Sequence, residues 1–168
     1  LNKQYPHKHP KKNMSQKACI TLLEDALYAS IISVFAQGFD LIEKAAKEEG
    51  WRINMAEISR TWEGGCIIRA KLLNVFHIHF KTYKNKHIFL IPAVKILMKK
   101  NTPKLRTLVS SATKSGVPLP GFSASLFYFE SMIEKQLPAN MIQGLRDYFG
   151  AHTYERIDKL GSFHTLWS

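Results

Sequence analysis

The chain has 168 residues, of which 45% are apolar, and a formal net charge of +11. That is enough length and apolar content for one domain with a real core, and it excludes a disordered composition. No apolar run promises a membrane span, since the best one, Ala26 to Phe39, is interrupted by Ser30, Ser33, Gln37 and Gly38.

The first 17 residues are polar and basic, with no apolar segment of the kind a secretory signal needs. The opening on Leu1 in place of Met suggests a fragment, a processed product or an incomplete coding sequence. Cys19 and Cys66 are far apart and form neither a disulfide framework nor a metal-binding pair. They read as buried thiols in a reducing cytoplasm.

Residues 1–14 contain Tyr5-Pro6-His7, Lys8-His9-Pro10 and Lys11-Lys12 and read as a flexible basic arm. His7 and His9 lack the further ligands of a tetrahedral metal site. Ser15 is placed to cap a long helix running to about Glu49, where Gly50 ends it. Its apolar residues surround most of the cylinder, which predicts burial on most sides. Ala29, Ser30, Ser33, Ala36 and Gly38 would let neighbouring helices approach closely.

Asn54 predicts a short second helix to about Trp62, and Gly64-Gly65 separates it from a third starting near Cys66. Residues 76–91 resist a helical reading, because Phe76, Ile78 and Phe80 alternate with His77 and His79 as strand residues would. His77, His79 and His87 are expected to be solvated imidazoles in a loop or frayed helix rather than metal ligands.

Pro92 and Pro103 suit first-turn positions and predict two helices, near 92–100 and 103–115. The run Gly116-Val117-Pro118-Leu119-Pro120-Gly121 reads as a rigid connector. Ser123 opens an apolar helix over Ala124 to Glu134, and Leu137-Pro138-Ala139-Asn140 starts the last one, ended by Gly150. The expected class is therefore all-α, with six or seven helices over residues 15–150. An extended tail over 151–168 carries Tyr154, Phe163 and Trp167 but no periodicity. Such a tail docks on its own domain or on a partner subunit.

The charge is unevenly spread. Between Gly64 and Phe129 there are 11 bases and no acid, while the rest of the chain is balanced. A segment this one-sided attracts polyanions. Aromatics are not interleaved with the bases as stacking platforms, so a solvated Lys-rich face is favoured over nucleic-acid binding.

Five blocks carry a resemblance. The longest is Leu137-Pro-Ala-Asn-Met-Ile-Gln-Gly-Leu-Arg-Asp-Tyr-Phe-Gly-Ala-His-Thr-Tyr-Glu155. The others are Leu27-Tyr-Ala-Ser30 with Ala36-Gln-Gly38, Trp62-Glu-Gly-Gly-Cys-Ile-Ile-Arg69, Gly116-Val-Pro-Leu-Pro120 with Phe122-Ser-Ala124, and Phe163-His-Thr165 with Trp167. In their order along the chain they resemble the C-terminal domain and tail of decarboxylating 6-phosphogluconate dehydrogenases. The chain departs from the family pattern at Ile31, Glu63 and Leu145, in Lys104-Leu105-Arg106, and across the basic stretch 74–91.

The resemblance implies an enzyme of the pentose phosphate pathway. It oxidises 6-phosphogluconate with NADP, releases carbon dioxide and yields ribulose 5-phosphate. It also implies a cytoplasmic homodimer whose tail threads into the other subunit; the residues themselves point to no membrane and no metal partner. Arg146 and His152 are the positions that match the family's contacts to the substrate phosphate. A guanidinium fork suits a phosphate, and the end of a helix favours a cation. From spacing alone, an ion pair of Arg146 with Asp147 or Glu155 and a surface His152 would be the favoured reading. The resemblance reverses that order.

The family's catalytic Lys and Glu match no residue of this chain, and no Gly-rich dinucleotide fingerprint is present. No catalytic or cofactor-binding residue is therefore assigned, and the chain is expected to be inactive alone. A separate N-terminal domain is the other expected partner. The rival reading is a non-catalytic remnant that serves as a basic helical module for polyanions or proteins.

Overall fold

The computed structural model describes residues 14–83 and 86–167, together with Gln4. The basic arm expected over residues 1–14 lies almost wholly outside the described residues. In chain order the elements are α1 (Gln16–Glu48), α2 (Met55–Gly65), α3 (Leu72–Thr82), a 3-10 turn (Ile88–Leu90), α4 (Pro92–Lys114), α5 (Pro120–Ile133) and α6 (Asn140–Gly150). Two short strands follow, β1 (Tyr154–Glu155) and β2 (Ser162–Phe163). The all-α class holds, with six α-helices among the described residues.

The chain divides into two units, Leu1–Phe129 and Glu130–Ser168. In the first, α1 begins where Ser15 accepts a hydrogen bond from the Ala18 N–H at 3.3 Å. It ends before Gly50, whose φ of +69° is the left-handed stop expected there. Its inner stripe is Leu22, Ala26, Ala29, Ile32, Phe35, Ala36 and Phe39, all buried. α1 packs against α4, and α2 against α3.

Burial on most sides of α1 does not hold, because Leu23, Leu27, Val34 and Leu41 are exposed. The expectation about membrane spans also needs correction. α1 contains an 18-residue window of mean hydropathy 1.6, so by length and composition it is apolar enough to cross a bilayer. The interrupting serines do not break the helix. Ser33 returns its hydroxyl to the Ala29 carbonyl at 3.1 Å, which costs the helix little.

The core gathers five aromatic rings from three helices. Phe76 of α3 meets Phe35 and Phe39 of α1 edge-on, each at 5.7 Å between centroids. Trp62 of α2 lies 4.9 Å from Phe39, and Phe80 lies 5.0 Å from it. Such pairs add to the burial of their large apolar area.

Three expectations about the elements fail for physical reasons. Residues 72–82 form a helix, not a strand-like segment. Leu72, Leu73, Phe76, His79 and Phe80 are buried at helical spacing over three turns, while the alternation covers only five residues. Ile78, which a strand would place beside Phe76, is 57% exposed.

The third helix does not start near Cys66. Cys66 is extended (φ −112°, ψ 150°) and residues 66–71 form a turn, with Arg69 N–H donating to the Cys66 carbonyl at 3.1 Å. α4 is one helix running through Pro103. A proline inside a helix costs about 3 kcal/mol. Leu105, Leu108 and Val109 are buried beyond it, at roughly 1.5–3 kcal/mol for each side chain. Continuity of the buried face therefore outweighs the lost hydrogen bond.

The three imidazoles of the segment each bind backbone. His77 Nδ1 lies 2.7 Å from the Ala56 carbonyl, and His79 Nε2 lies 3.4 Å from that of Lys86. His87 Nδ1 accepts from the Phe89 N–H at 3.2 Å. Burial lowers the His79 pKa from its ordinary value; the Lys86 carbonyl opposes this and the Lys86 charge adds to it. These residues pin α3 and the 3-10 turn, and are not the freely solvated groups expected.

Candidate functional site at the close of helix α6

The last unit is built around the end of α6. Asn140 opens the helix with its side-chain oxygen accepting from the Met141 N–H at 2.9 Å. Gly150 is the last helical residue, but the left-handed stop is Ala151 (φ 50°, ψ 38°). Thr153 is left-handed as well, at φ 62°. For residues with a Cβ this conformation costs roughly 1–2 kcal/mol each, so something outside the loop must hold it.

Asp147 is that support. It is fully buried, although its neighbours Arg146 and Tyr148 are exposed. Its Oδ1 accepts from the Thr153 N–H at 3.1 Å and lies 2.9 Å from His164 Nδ1. Its Oδ2 accepts from the Thr165 N–H and the Trp167 indole N–H, each at 2.9 Å. Every lone-pair direction of the carboxylate is used, which is what makes burying it tolerable.

Of the two dockings open to the tail, the one seen is on its own unit. The tail doubles back as an antiparallel hairpin, with Tyr154 opposite Phe163 and Glu155 opposite Ser162. Tyr154 Oη lies 2.7 Å from Thr165 Oγ1, and the Trp167 ring meets Tyr148 edge-on at 6.0 Å. The physical reason is the acceptor on α6. Asp147 collects donors that a free tail would have given to water.

Arg146 lies on the last full turn of α6, exposed, with Nη1 donating to Gln143 Oε1 at 3.3 Å. No ion pair with Asp147 or Glu155 is formed among the described residues, because the Asp147 carboxylate is already saturated. His152 is exposed and folds back over Gly150, where a Cβ would stand 2.7 Å from its Nε2. Gly150 is thus required by the close approach of the imidazole more than by helix termination. Arg146 and His152 do not touch through any recorded bond. They flank Asp147, one preceding it in α6 and the other preceding the Thr153 that it holds.

Sequence reasoning named Asp147 only as a candidate partner of Arg146. A signal for its role was present: an acid in the last turn of a helix opposes the dipole and needs compensating donors. A tail ending in a Trp offers one.

Burial opposes ionisation of Asp147, but the hydrogen bonds from Thr165, His164 and Trp167 outweigh it and lower the carboxyl from 3.8 to about 2. A lowered folded-state value means that the ionised form favours docking. Its contribution is complete above 3.8 and is lost as the pH falls through about 2. The Trp167 indole N–H resonance is therefore expected to hold its docked position from neutral pH to about 4, and to move to the free position below that. Release already between about pH 6 and 5 would contradict this assignment.

The first unit holds a second feature, an apolar groove of about 590 Å³. Leu27, Ile31 and Val34 of α1 face Trp62, Ile67 and Phe122 across it. On α4, Lys95, Lys99, Lys100, Lys104 and Lys114 are exposed, which fits the solvated basic face expected.

Comparison with known proteins gives a consistent result. The model of the family described as 6-phosphogluconate dehydrogenase, C-terminal domain, matches residues 1–167. The rice protein "6-phosphogluconate dehydrogenase, decarboxylating 2, chloroplastic" is 42% identical over 93% of this chain and 31% of its own length. The decarboxylating enzyme of Staphylococcus epidermidis is 41% identical over 90% of this chain and 33% of its own. A solved Plasmodium falciparum 6-phosphogluconate dehydrogenase, described in apo form, with its cofactor NADP+ and with its substrate 6-phosphogluconate, superposes with a TM-score of 0.88 at 37% identity. That match covers 99% of this chain and 36% of the other. The chain spans about a third of the length of these relatives. It belongs to the 6-phosphogluconate dehydrogenase family and corresponds to its C-terminal domain.

Proposed function

We propose that this chain is the C-terminal portion of an NADP-dependent decarboxylating 6-phosphogluconate dehydrogenase, in which Arg146 and His152 hold the substrate phosphate. Residues 15–150 would be the helical dimerisation and substrate domain, and 151–168 the tail. The observation that carries this reading is the construction at the end of α6. The exposed Arg146 precedes the buried, saturated Asp147 in α6, and the exposed His152 lies in the loop that Asp147 holds through the Thr153 N–H and folds back over Gly150. A phosphate monoester is nearly dianionic, and this combination offers it a planar fork and a second donor.

The described residues do not fit a dinucleotide. They contain only one two-stranded antiparallel sheet and no Gly-rich turn opening a helix behind a parallel strand. No step through NADP is derived from this chain, and no group here is assigned as general acid or base. The exposed apolar groups of α1 and α6, including Val34, Leu41, Met141, Leu145 and Phe149, support burial against further protein. A homodimer that exchanges tails and a separately supplied N-terminal part both meet that need. A cytoplasmic home belongs to the same reading, although relatives in rice and spinach are named chloroplastic.

The test is direct. Isolated chain given NADP and 6-phosphogluconate is expected to produce no absorbance of reduced cofactor. Addition of the separate N-terminal part of a relative is expected to restore it, in a manner dependent on Arg146. Turnover by the isolated chain would refute the division of labour. The exposed lysines of α4 keep the basic-module reading alive; it requires nucleic-acid binding that weakens steeply with salt.

A further inference from the structure

We propose that Asp147 is a positioning residue whose buried carboxylate sets where His152 stands relative to Arg146, and so assembles the phosphate grip. This deepens the reading above and rests on it. Ala151 and Thr153 are both left-handed at φ 50° and 62°, and His152 lies between them. Without an outside restraint such a loop relaxes, and the imidazole leaves the end of the helix.

Beside the Ala151 N–H bond to the Asp147 backbone carbonyl at 2.9 Å, the side-chain restraint is the hydrogen bond from the Thr153 N–H to Asp147 Oδ1 at 3.1 Å. Asp147 is one peptide unit from Arg146, and through that bond it is joined to the residue after His152. It therefore ties the loop that carries His152 to the turn of α6 that carries Arg146. Gly150 completes the device by leaving room for the ring, since a Cβ there would meet Nε2 at 2.7 Å.

The other three donors come from the end of the chain: His164, Thr165 and Trp167. The tail and the loop that carries His152 thus share one acceptor, the Asp147 carboxylate, through separate bonds. The Trp167 ring also covers Gly144 of α6, where a Cβ would lie 3.8 Å from it. Asp147 is not offered as a catalytic residue, because it is saturated by protein donors and has no capacity left for a ligand.

The experiment uses nuclear magnetic resonance on the full 168-residue chain. Its readouts are the proximity signal between the His152 ring and Gly150, the exchange of the Thr153 amide, and the shift of the His152 ring on adding 6-phosphogluconate. Asp147→Asn keeps the shape but turns an amide N–H toward two donors. It is expected to abolish the His152–Gly150 signal and to speed Thr153 exchange by at least about tenfold, with the amide shifts of residues 141–146 unchanged.

Trp167→Phe removes a tail donor and leaves the Thr153 bond, so it is expected to keep both signals. Survival of both signals in Asp147→Asn overturns the proposal. So does their loss together with the helical shifts of 141–146, since that would mark a merely structural role. Equal loss in Trp167→Phe overturns it too, by assigning the effect to the tail. A His152 shift with 6-phosphogluconate but not with gluconate, absent in Arg146→Ala and in Asp147→Asn, supports it. No such shift in the unmodified chain overturns the phosphate reading itself, while the His152–Gly150 signal still reports separately on what Asp147 positions.

Discussion

Phe76→Ala is expected to destabilise the first unit by about 3–5 kcal/mol, the range for deleting a large ring from a close-packed interior. Phe76 is fully buried and lies edge-on to both Phe35 and Phe39 at 5.7 Å. Its loss opens a cavity bounded by the Phe35 and Phe39 rings of α1, which are too large to collapse into it. Thermal unfolding followed by far-ultraviolet circular dichroism should shift down by on the order of 10–20 °C.

The companion substitution is Ile78→Ala. In a strand, residues 76 and 78 would share a face and the two substitutions would cost similar amounts. In α3 they lie on different faces, and Ile78 is 57% exposed. Its truncation should stay within about 0.5 kcal/mol of the parent. Comparable losses from the two would show that the helical phase of α3 is wrong.

That contrast also shows where sequence reasoning succeeds and where it stops. Ser15, Gly50 and Asn54 mark helix ends through their own chemistry, a side-chain acceptor or a left-handed φ, and such local signals survive folding. Phe76 to Phe80 carries two periods at once. The choice between them depended on Leu72 and Leu73 upstream and on partners in α1. Pro103 was a strong local stop overridden by burial on either side of it, a tertiary effect that no window on α4 alone reveals.

The same division runs through the site. Arg146 and His152 entered through the likeness of a long block to a family, not through their spacing. The buried Asp147 between them depends on donors 17 to 20 residues away in the chain, which the acid in the last turn of α6 calls for but does not itself identify.

Arg146→Ala is expected to weaken 6-phosphogluconate binding in the assembled enzyme by about 2–4 kcal/mol, or roughly 30- to 1000-fold. The guanidinium is exposed and engaged only weakly, to Gln143 at 3.3 Å. A dianionic ligand therefore displaces a poor partner and gains charge-assisted bonds. Arg146→Lys should recover part of the loss, because it keeps the charge but not the fork. His152→Ala should cost less, on the order of tenfold, since one donor is removed and the fork remains.

Two comparisons make the assignment specific. Gluconate, which has the same carbon chain without the phosphate, should bind equally to the parent and to Arg146→Ala. The parent's preference for the phosphorylated ligand should also shrink as salt rises, as it does for exposed charge pairs. If Arg146→Ala reduced affinity for both ligands alike, the guanidinium would be supporting the assembly of the domain, not gripping a phosphate. The end of α6 would then be an interface, with its exposed Met141, Leu145 and Phe149 as the groups that matter.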